Sequence, residues 1–222
     1  MLTKKIIQAQ EIIKKAFDEY NKDLVVAWTG GKDSTVVLHL VRSCFNNEIP
    51  LRVIFNDSTM EFEEVYDFIE RLTNEWQLQL LIVEHLKRDL KKFYSTQDLK
   101  QKKKLLSVMK INAVNYALKK YRLKALLVGI RWDEHMARSK EKYFSPRPNH
   151  TRVHPILHFT EKDIWEYIKK QNVPYLSLYD KGYRSLGERP FTKLPEKGKG
   201  ERSGREGDKE KIMEKLRKLG YW

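Results

Sequence analysis

Apolar residues follow two alternating periods along the chain. Four short runs of aliphatic and β-branched residues predict strands, at 24–28, 51–55, 78–83 and 124–129. Apolar positions spaced three or four residues apart predict helices, at 3–20, 32–45, 62–76 and 109–118. Because strand and helix alternate, the connections must cross over the sheet. The pattern therefore predicts an α/β fold: a doubly wound, mostly parallel sheet flanked by helices.

The segment after the first predicted strand has the features of an anion site. It reads Trp28-Thr29-Gly30-Gly31-Lys32-Asp33-Ser34 and opens directly into a helix. The paired glycines let backbone N–H groups approach a phosphate, and the helix N-terminus favours negative charge. Lys32 adds a positive charge and Ser34 a hydroxyl. The spacing differs from a Walker loop, which has four residues between its glycines.

Further polar residues follow the second and fourth predicted strands, which end at the same edge of such a sheet as the first. Asp57 follows the second strand and is a candidate ligand contact, or alternatively a turn or helix cap. Gly129 ends the fourth strand and allows close approach. Arg131 and Arg138 can each fork onto phosphate or sulfate oxygens. The alternative for this charged run is a solvated helix with i,i+4 ion pairs.

These motifs resemble those of the adenine nucleotide alpha hydrolases, also called PP-loop proteins. Residues 29–34 resemble the Ser-Gly-Gly-x-Asp-Ser pyrophosphate loop of that superfamily. Residues 129–141 resemble the Gly-x-Arg-x-Asp-Glu-x-x-x-Arg-x-Lys-Glu signature of the ATP sulfurylase small-subunit family, which is related to the phosphoadenylylsulfate reductases. Residues 201–205 are similar to the Glu-Arg-x-Gly-Arg phrase of the same subunit. The resemblance implies a Rossmann-like nucleotide-binding fold.

The resemblance also implies an activity: a sulfate adenylyltransferase that splits ATP between its α- and β-phosphates and releases pyrophosphate. The implied catalytic residues are Lys32, Arg131 and Arg138. The implied nucleotide-binding residues are Trp28, Thr29, Gly30, Gly31, Lys32, Asp33, Ser34, Asp57, Gly129 and Arg131. Mg²⁺ is expected to bridge the phosphates, with Asp33 and Asp133 as candidate ligands. A separate GTPase subunit is the implied partner, because adenylylsulfate formation is uphill.

Composition divides the chain at residue 192. Residues 1–192 are expected to form the nucleotide-binding α/β domain, including the N-terminal helix. Residues 193–208 are rich in glycine and charge and hold almost no apolar residue, so we expect them to be mobile unless a ligand or partner orders them. Residues 193–222 are therefore expected to be a flexible basic segment followed by a short C-terminal helix.

Net charge and cysteine content limit the kinds of partner and cofactor that the chain can bind. The 44 Lys and Arg residues exceed the 30 Asp and Glu residues, giving a net charge of +14. This excess fits nucleic acid or another polyanion, or else an ion-paired surface typical of thermophiles. The single cysteine, Cys44, is too few for an iron–sulfur cluster, so none is expected. No apolar run is long enough to span a bilayer and no signal peptide is seen, so we expect a cytoplasmic protein that binds no membrane.

Three alternative functions stay open at this point. The chain is similar to adenylylsulfate and phosphoadenylylsulfate reductases, but it lacks the C-terminal thiolate that such a reaction requires. Residues 178–187 are similar to a phrase of FMN adenylyltransferases. The positive charge is also compatible with an RNA-binding, tRNA-modifying relative. The identity of the adenylyl acceptor distinguishes these alternatives.

Overall fold

A six-stranded sheet forms the centre of the computed structural model, which describes residues 1–205. The strand order is β3-β2-β1-β4-β6-β5, and only β5 runs antiparallel to its neighbour. The strands are β1 (Leu24–Ala27), β2 (Arg52–Asp57), β3 (Leu80–Glu84), β4 (Ala125–Val128), β5 (Phe144–Pro146) and β6 (Thr151–Val153). The predicted α/β class with a mostly parallel sheet is confirmed.

Six helices cover the two faces of the sheet. They are α1 (Leu2–Tyr20), α2 (Lys32–Cys44), α3 (Glu63–Glu75), α4 (Lys87–Ser95), α5 (Leu99–Lys120) and α6 (Glu161–Gln171). Alternate strand residues point to opposite faces, so Leu24 and Val26 pack with α1, α2, α3 and α6, whereas Val25 packs with α5. This arrangement leaves the carboxyl ends of the central strands open at one edge, where ligands bind in doubly wound sheets.

The structure adds two features that the apolar pattern does not predict. Residues 144–146 and 151–153 form a short antiparallel hairpin, β5 and β6, at one edge of the sheet. Residues 132–134 and 136–138 form two short 3₁₀ turns, so the alternative of a solvated helix for this run does not hold, although Arg138 and Glu134 do form an i,i+4 ion pair. Within those turns Arg138 is buried, because it faces the open edge of the sheet.

The segment 193–205 packs against the open edge of the sheet. Lys193 N–H donates a hydrogen bond to the Gly204 carbonyl at 2.9 Å, which closes the segment into a strap. Glu201 on this strap contacts the loop after β1. The predicted C-terminal helix lies outside the described residues, and the division at residue 192 stays a prediction. Among residues 1–205, no helix combines the length and apolar character that crossing a bilayer requires.

Candidate active site

The loop between β1 and α2 is fixed in place by contacts on either side of its two glycines. Gly30 has a φ of +74°, a conformation that side-chain-bearing residues rarely adopt. Trp28 Nε1 donates to Thr35 Oγ1 at 3.0 Å, which fixes the strand end to the first turn of α2. The Lys32 N–H donates to the Tyr179 hydroxyl at 2.9 Å. The loop is therefore anchored from both its own helix and a distant part of the chain.

The end of β4 lies directly against this loop. A Cβ atom on Gly129 would lie 2.8 Å from the Asp33 carbonyl carbon and oxygen and from the Ser34 nitrogen. Only glycine fits this contact without moving backbone. The Thr29 and Ser34 hydroxyls lie 3.2 Å apart on the loop itself. The tips of β1 and β4 thus form one continuous surface of backbone and hydroxyl groups.

Two buried cations meet on a single carboxylate at this surface. Lys32 is 1% exposed and Arg131 is 0% exposed. Both form an ion pair with Glu201, which comes from the strap. Asp33 completes the group, since its carboxylate lies 3.1 Å from Lys32 Nζ and 2.7 Å from Arg131 Nε. Asp133 lies at 3.0 Å from Arg131 Nη1, on the outer side of the guanidinium.

These contacts fix the charge states of the cluster. Burial lowers the pKa of Lys32, but the Asp33 and Glu201 carboxylates outweigh it, and the pKa lies above the ordinary value. Burial likewise opposes the charge on Arg131, and the surrounding carboxylates raise its pKa. Burial also raises the pKa of Glu201. Both cations therefore stay charged over the whole physiological range, as an anion-binding site requires.

A second ion-pair group lies beside the first. Glu134 accepts hydrogen bonds from the Arg131 backbone N–H at 2.9 Å and from the Arg138 side chain. Arg202 of the strap lies 3.7 Å from the same carboxylate. Burial raises the pKa of Glu134, but the three arginines outweigh it and bring this pKa down to about 2. Glu134 thus holds the β4 loop and the strap together.

Three carboxylates converge where a divalent cation would meet phosphate oxygens. Oxygen atoms of Asp33, Glu134 and Glu201 lie within 4.8 Å of one another. Carboxylate oxygens are the ligands that Mg²⁺ prefers, so this donor set fits that ion. Asp33, one of the two predicted metal candidates, belongs to the group. Asp133, the other, lies outside it and accepts a hydrogen bond from the Glu161 N–H at 3.0 Å.

A cleft of about 270 Å³ extends from this charged cluster. Its charged end is lined by Lys32, Asp33, Glu134, Arg138, Arg202 and Arg205. Its other end lies between the sheet and α5 and is lined by Ala27, Ile54, Ile111, Val114, Leu126 and Val128. One end thus suits anionic groups and the other a flat apolar group, which is the character of a nucleotide-sized pocket.

The structure brings together most of the residues that the sequence analysis selected. Most predicted residues of the β1 loop, together with Gly129 and Arg138, line the cleft, and Arg131 lies at its charged end; Gly30 instead faces apolar side chains on the other side of the loop. Asp57 does not join them, because its Oδ1 accepts from the Thr59 N–H at 2.7 Å and the Tyr66 hydroxyl at 2.8 Å. It holds the turn after β2, which is the alternative that the sequence left open.

Five site residues were not selected from the sequence: Glu134, Tyr179, Glu201, Arg202 and Arg205. Glu134 and Glu201 belong to motifs that carried the resemblance, but no role was given to either. Tyr179 belongs to residues 178–187, for which only a similarity to FMN adenylyltransferases was noted. The signal that locates Glu201 is the Glu-Arg-x-Gly-Arg phrase itself, which places charged residues of fixed spacing in a segment without apolar anchors.

Comparison with curated proteins identifies two groups of relatives. Adenosine 5'-phosphosulfate reductase from Oceanobacillus iheyensis is 28% identical over 203 residues, covering 89% of this chain and 82% of the relative. Sulfate adenylyltransferase subunit 2 from Geotalea uraniireducens is 31% identical over 207 residues, covering 80% of this chain and 67% of the relative. Transferases and reductases thus match at nearly equal levels.

Solved structures share the fold. Candida glabrata FMN adenylyltransferase, in complex with FMN and the ATP analogue AMPCPP, has a TM-score of 0.68 and 25% identity over 86% of this chain. The chain spans 65% of the length of that protein. Phosphoadenylyl-sulfate reductase from Candida auris, in a phosphate complex, has a TM-score of 0.69 at 20% identity, covering 82% of this chain and 89% of that one. The likeness to the second structure shows the fold alone.

The parallel sheet, the glycine loop after β1 and the arginine loop after β4 define a PP-loop nucleotide-binding protein. The sequence profile of the phosphoadenosine phosphosulfate reductase domain matches residues 23–194. The chain belongs to this family, and the resemblance drawn from the sequence motifs is confirmed at that level. At the family level the chain is an enzyme that acts on adenine nucleotides.

Proposed function

We propose that this protein is an adenylyltransferase that cleaves ATP between its α- and β-phosphates and transfers the adenylyl group to sulfate. One observation carries the proposal: two fully buried cations, Lys32 and Arg131, come from the tips of neighbouring strands and converge on one carboxylate, Glu201. That carboxylate marks where an anion binds. A triphosphate bound there would place its α-phosphorus between the β1 and β4 loops.

Positioning and charge stabilisation carry the proposed reaction. Backbone N–H groups of residues 30–34 and the Lys32 ammonium hold the β- and γ-phosphates. Arg131 and Arg138 lie where charge develops on the α-phosphoryl oxygens. A sulfate oxygen attacks the α-phosphorus, the bond to the bridging α–β oxygen breaks, and its electron pair leaves with pyrophosphate. No covalent enzyme intermediate is needed.

The apolar end of the cleft supports adenine as the base. Ile54, Leu126 and Val128 of the sheet face Ile111 and Val114 of α5 across it. Aliphatic side chains on both sides suit a planar ring, and burial of such a ring adds affinity independent of the phosphates. Mg²⁺ would be held by Asp33, Glu134 and Glu201, and it would neutralise phosphate charge.

The position of Cys44 favours transfer over reduction. A thiol-dependent reductase needs a thiolate at the substrate. Cys44 is the chain's single cysteine, lies at the end of α2, and is partly buried, which raises its pKa. It contacts the Gln10 carbonyl and does not line the cleft.

FMN adenylyltransferase is the second candidate. A structure of that name shares the fold at 25% identity and was solved with FMN and an ATP analogue. The chemistry at the α-phosphorus would be the same, with a phosphate oxygen of FMN replacing the sulfate oxygen.

The names of the transferase relatives, which designate a second subunit, support a separate partner chain for the sulfate reaction.

Product identity tests the proposal. The forward reaction with sulfate is uphill, so the reverse reaction is the sensitive assay: adenylylsulfate and pyrophosphate are supplied, and ATP is measured with luciferase. We expect ATP formation by the purified chain. In parallel, α-labelled ATP is incubated with FMN, and adenylylsulfate is incubated with a dithiol. Labelled FAD would instead assign an FMN adenylyltransferase, and sulfite release would assign a reductase.

A further inference from the structure

A strongly basic surface lies outside the cleft, on the hairpin formed by α4 and the first part of α5. Residues 87–104, here called the basic hairpin, hold eight Lys and Arg residues and two Asp residues. This segment of 18 residues therefore carries +6 of the chain's net charge of +14. Five of its lysines are exposed: Lys87, Lys91, Lys92, Lys100 and Lys104.

These five lysines differ from charged residues elsewhere on the surface. Exposed pairs such as Arg71–Glu75 and Lys170–Glu166, at 3.1 and 2.7 Å, neutralise one another. Within residues 1–205, the five hairpin lysines form no ion pair with an acidic group. The ion-paired surface of a thermophile therefore does not account for this charge.

The two acidic residues of the basic hairpin are used in its own structure. Asp89 accepts a hydrogen bond from Asn112 Nδ2 at 2.8 Å. Asp98 caps α5 by accepting from the Gln101 N–H at 2.6 Å. Neither carboxylate approaches the five lysines closely enough to pair with them. The fold thus concentrates positive charge on this surface, and the five lysine ammonium groups are available to bind an anionic partner.

The packing of the hairpin's apolar residues distinguishes a nucleic acid from a membrane surface as the anionic partner. Leu90 and Phe93 of α4 pack with Leu106 and Met109 of α5, so the apolar face of α4 is covered. Leu99 and Val108 are exposed, but they are nine positions apart on α5 and form no continuous apolar face. A membrane-binding basic helix needs a free apolar face. Tyr94, by contrast, is 61% exposed among the lysines, where its ring is available to stack on a base.

We propose that the basic hairpin binds a single-stranded polynucleotide, with its lysines on the phosphates and Tyr94 stacked on a base. Lys87 and Lys91 are one helical turn apart, about 6 Å along the helix. Both ammonium groups can therefore reach phosphates of the same flexible strand. The surface also lies near the proposed active site, because Lys104 is about 9 Å along α5 from Lys110, which lines the cleft.

Fluorescence anisotropy with a labelled 20-nucleotide oligouridylate tests this proposal. Uridine avoids occupation of the adenine end of the cleft. Titrations between 50 and 200 mM KCl give the slope of log affinity against log salt. The test variant combines four exchanges: Lys87→Gln, Lys91→Gln, Lys92→Gln and Lys104→Gln. Each lost phosphate contact lowers the slope by about 0.7, so we expect a decrease of about 3.

A matched variant controls for net charge. It removes the same number of exposed lysines from outside residues 87–104: Lys4→Gln, Lys14→Gln, Lys119→Gln and Lys169→Gln. We expect it to keep the wild-type slope. Tyr94→Ala keeps the charge but removes the stacking ring, and we expect it to weaken binding roughly 5- to 150-fold. The fourfold lysine variant of the hairpin and Tyr94→Ala should both retain adenylylsulfate-dependent ATP formation, because none of the exchanged hairpin residues lines the cleft.

Three outcomes would overturn the proposal. If the control variant loses as much affinity and slope as the hairpin variant, binding is due to overall charge. If poly-glutamate competes as well as oligouridylate and Tyr94→Ala has no effect, the surface fits an acidic protein. If phosphatidylserine vesicles bind with the same dependence on the four lysines while oligouridylate does not bind, the partner is a membrane.

Discussion

The Glu201 carboxylate forms an ion pair with the Lys32 ammonium group, although the two residues are 169 positions apart in the chain. The carboxylate also contacts Arg131, so it occupies the position that the proposed function assigns to phosphate oxygens. An anion that enters the loop must either displace this carboxylate or share it through a divalent cation. The proposed function therefore predicts that anion affinity at this loop depends on a divalent cation.

Exchange of Glu201 for glutamine tests that dependence. Without divalent cations, Glu201→Gln should bind inorganic pyrophosphate about tenfold more tightly than the wild type, because a competing charge is removed; this corresponds to about 1.4 kcal/mol. With Mg²⁺ the order should reverse, because a metal ligand is lost. Isothermal titration calorimetry measures both affinities.

Glu196→Gln serves as the control for the strap. Glu196 is exposed on the same segment and pairs with Lys199, away from Lys32. Its exchange should leave both pyrophosphate affinities unchanged. Weaker binding by Glu201→Gln under both conditions would show that this carboxylate only organises the two cations.

Removal of either buried cation should abolish turnover. Lys32→Ala and Arg131→Ala each leave Glu201 without one of its partners and remove a charge from the proposed phosphate site. We expect pyrophosphate-dependent ATP formation to fall by at least about 100-fold, the scale found for a single stabilising donor. Lys170→Ala, which breaks an exposed pair, should keep full activity. Wild-type activity in either buried variant would exclude that residue from the reaction.

Close contact at Gly129 predicts a steric effect. In Gly129→Ala the new methyl group would lie 2.8 Å from backbone atoms of Asp33 and Ser34, so the β1 loop must shift. We expect a loss of about 1–3 kcal/mol in the free energy of unfolding and weaker pyrophosphate binding. Urea unfolding and calorimetry measure the two effects. Gly200→Ala is the control, because no atom lies within 4 Å of its added Cβ; equal effects of both exchanges would contradict the steric explanation.

The lowered pKa of Glu134 predicts a pH-dependent contribution to stability. Its pKa falls from the ordinary 4.5 to about 2 in the folded protein, so the stabilisation is complete above about pH 4.5 and is lost as pH falls towards 2. At its largest this linkage amounts to about 3 kcal/mol. The difference in unfolding free energy between wild type and Glu134→Gln should therefore shrink between pH 6 and pH 3 in urea titrations. A constant difference would refute the assignment, and Glu75→Gln at an exposed pair should show little pH dependence.

The parts of the fold that follow a repeated pattern were predictable from the sequence. Strands β1 to β4 have apolar runs, and α2 and α3 have a clear 3.6-residue period. Helix α4 and the first part of α5 were not predicted, because lysines dominate residues 87–104. Strands β5 and β6 have three residues each, and Pro146 interrupts the pattern, so their pairing depends on the β4 edge that receives them. Short edge strands of this kind carry little local signal.

In the candidate site, too, some residues were predictable from the sequence and others were not. The loop at 29–34 and Arg131 were predictable because each follows a strand end within a few residues, whereas Arg138, ten residues beyond β4, was found through the charged motif at 129–141. The contact of Glu201 with Lys32 was not, since it joins a polar, glycine-rich segment to a loop that is distant in sequence. Asp57 illustrates the opposite error, because its position at a strand end did not reveal that the turn after β2 uses its carboxylate.

The hydrogen bond from the Lys32 N–H to the Tyr179 hydroxyl couples the first strand–helix junction to the last third of the chain. During synthesis, α2 and β1 leave the ribosome long before Tyr179 does. The glycine loop then lacks one of its anchors until the later segment docks. The proposed nucleotide site is therefore complete only when most of the polypeptide has emerged, so a nucleotide bound there would stabilise the finished domain and not an early stage of its folding.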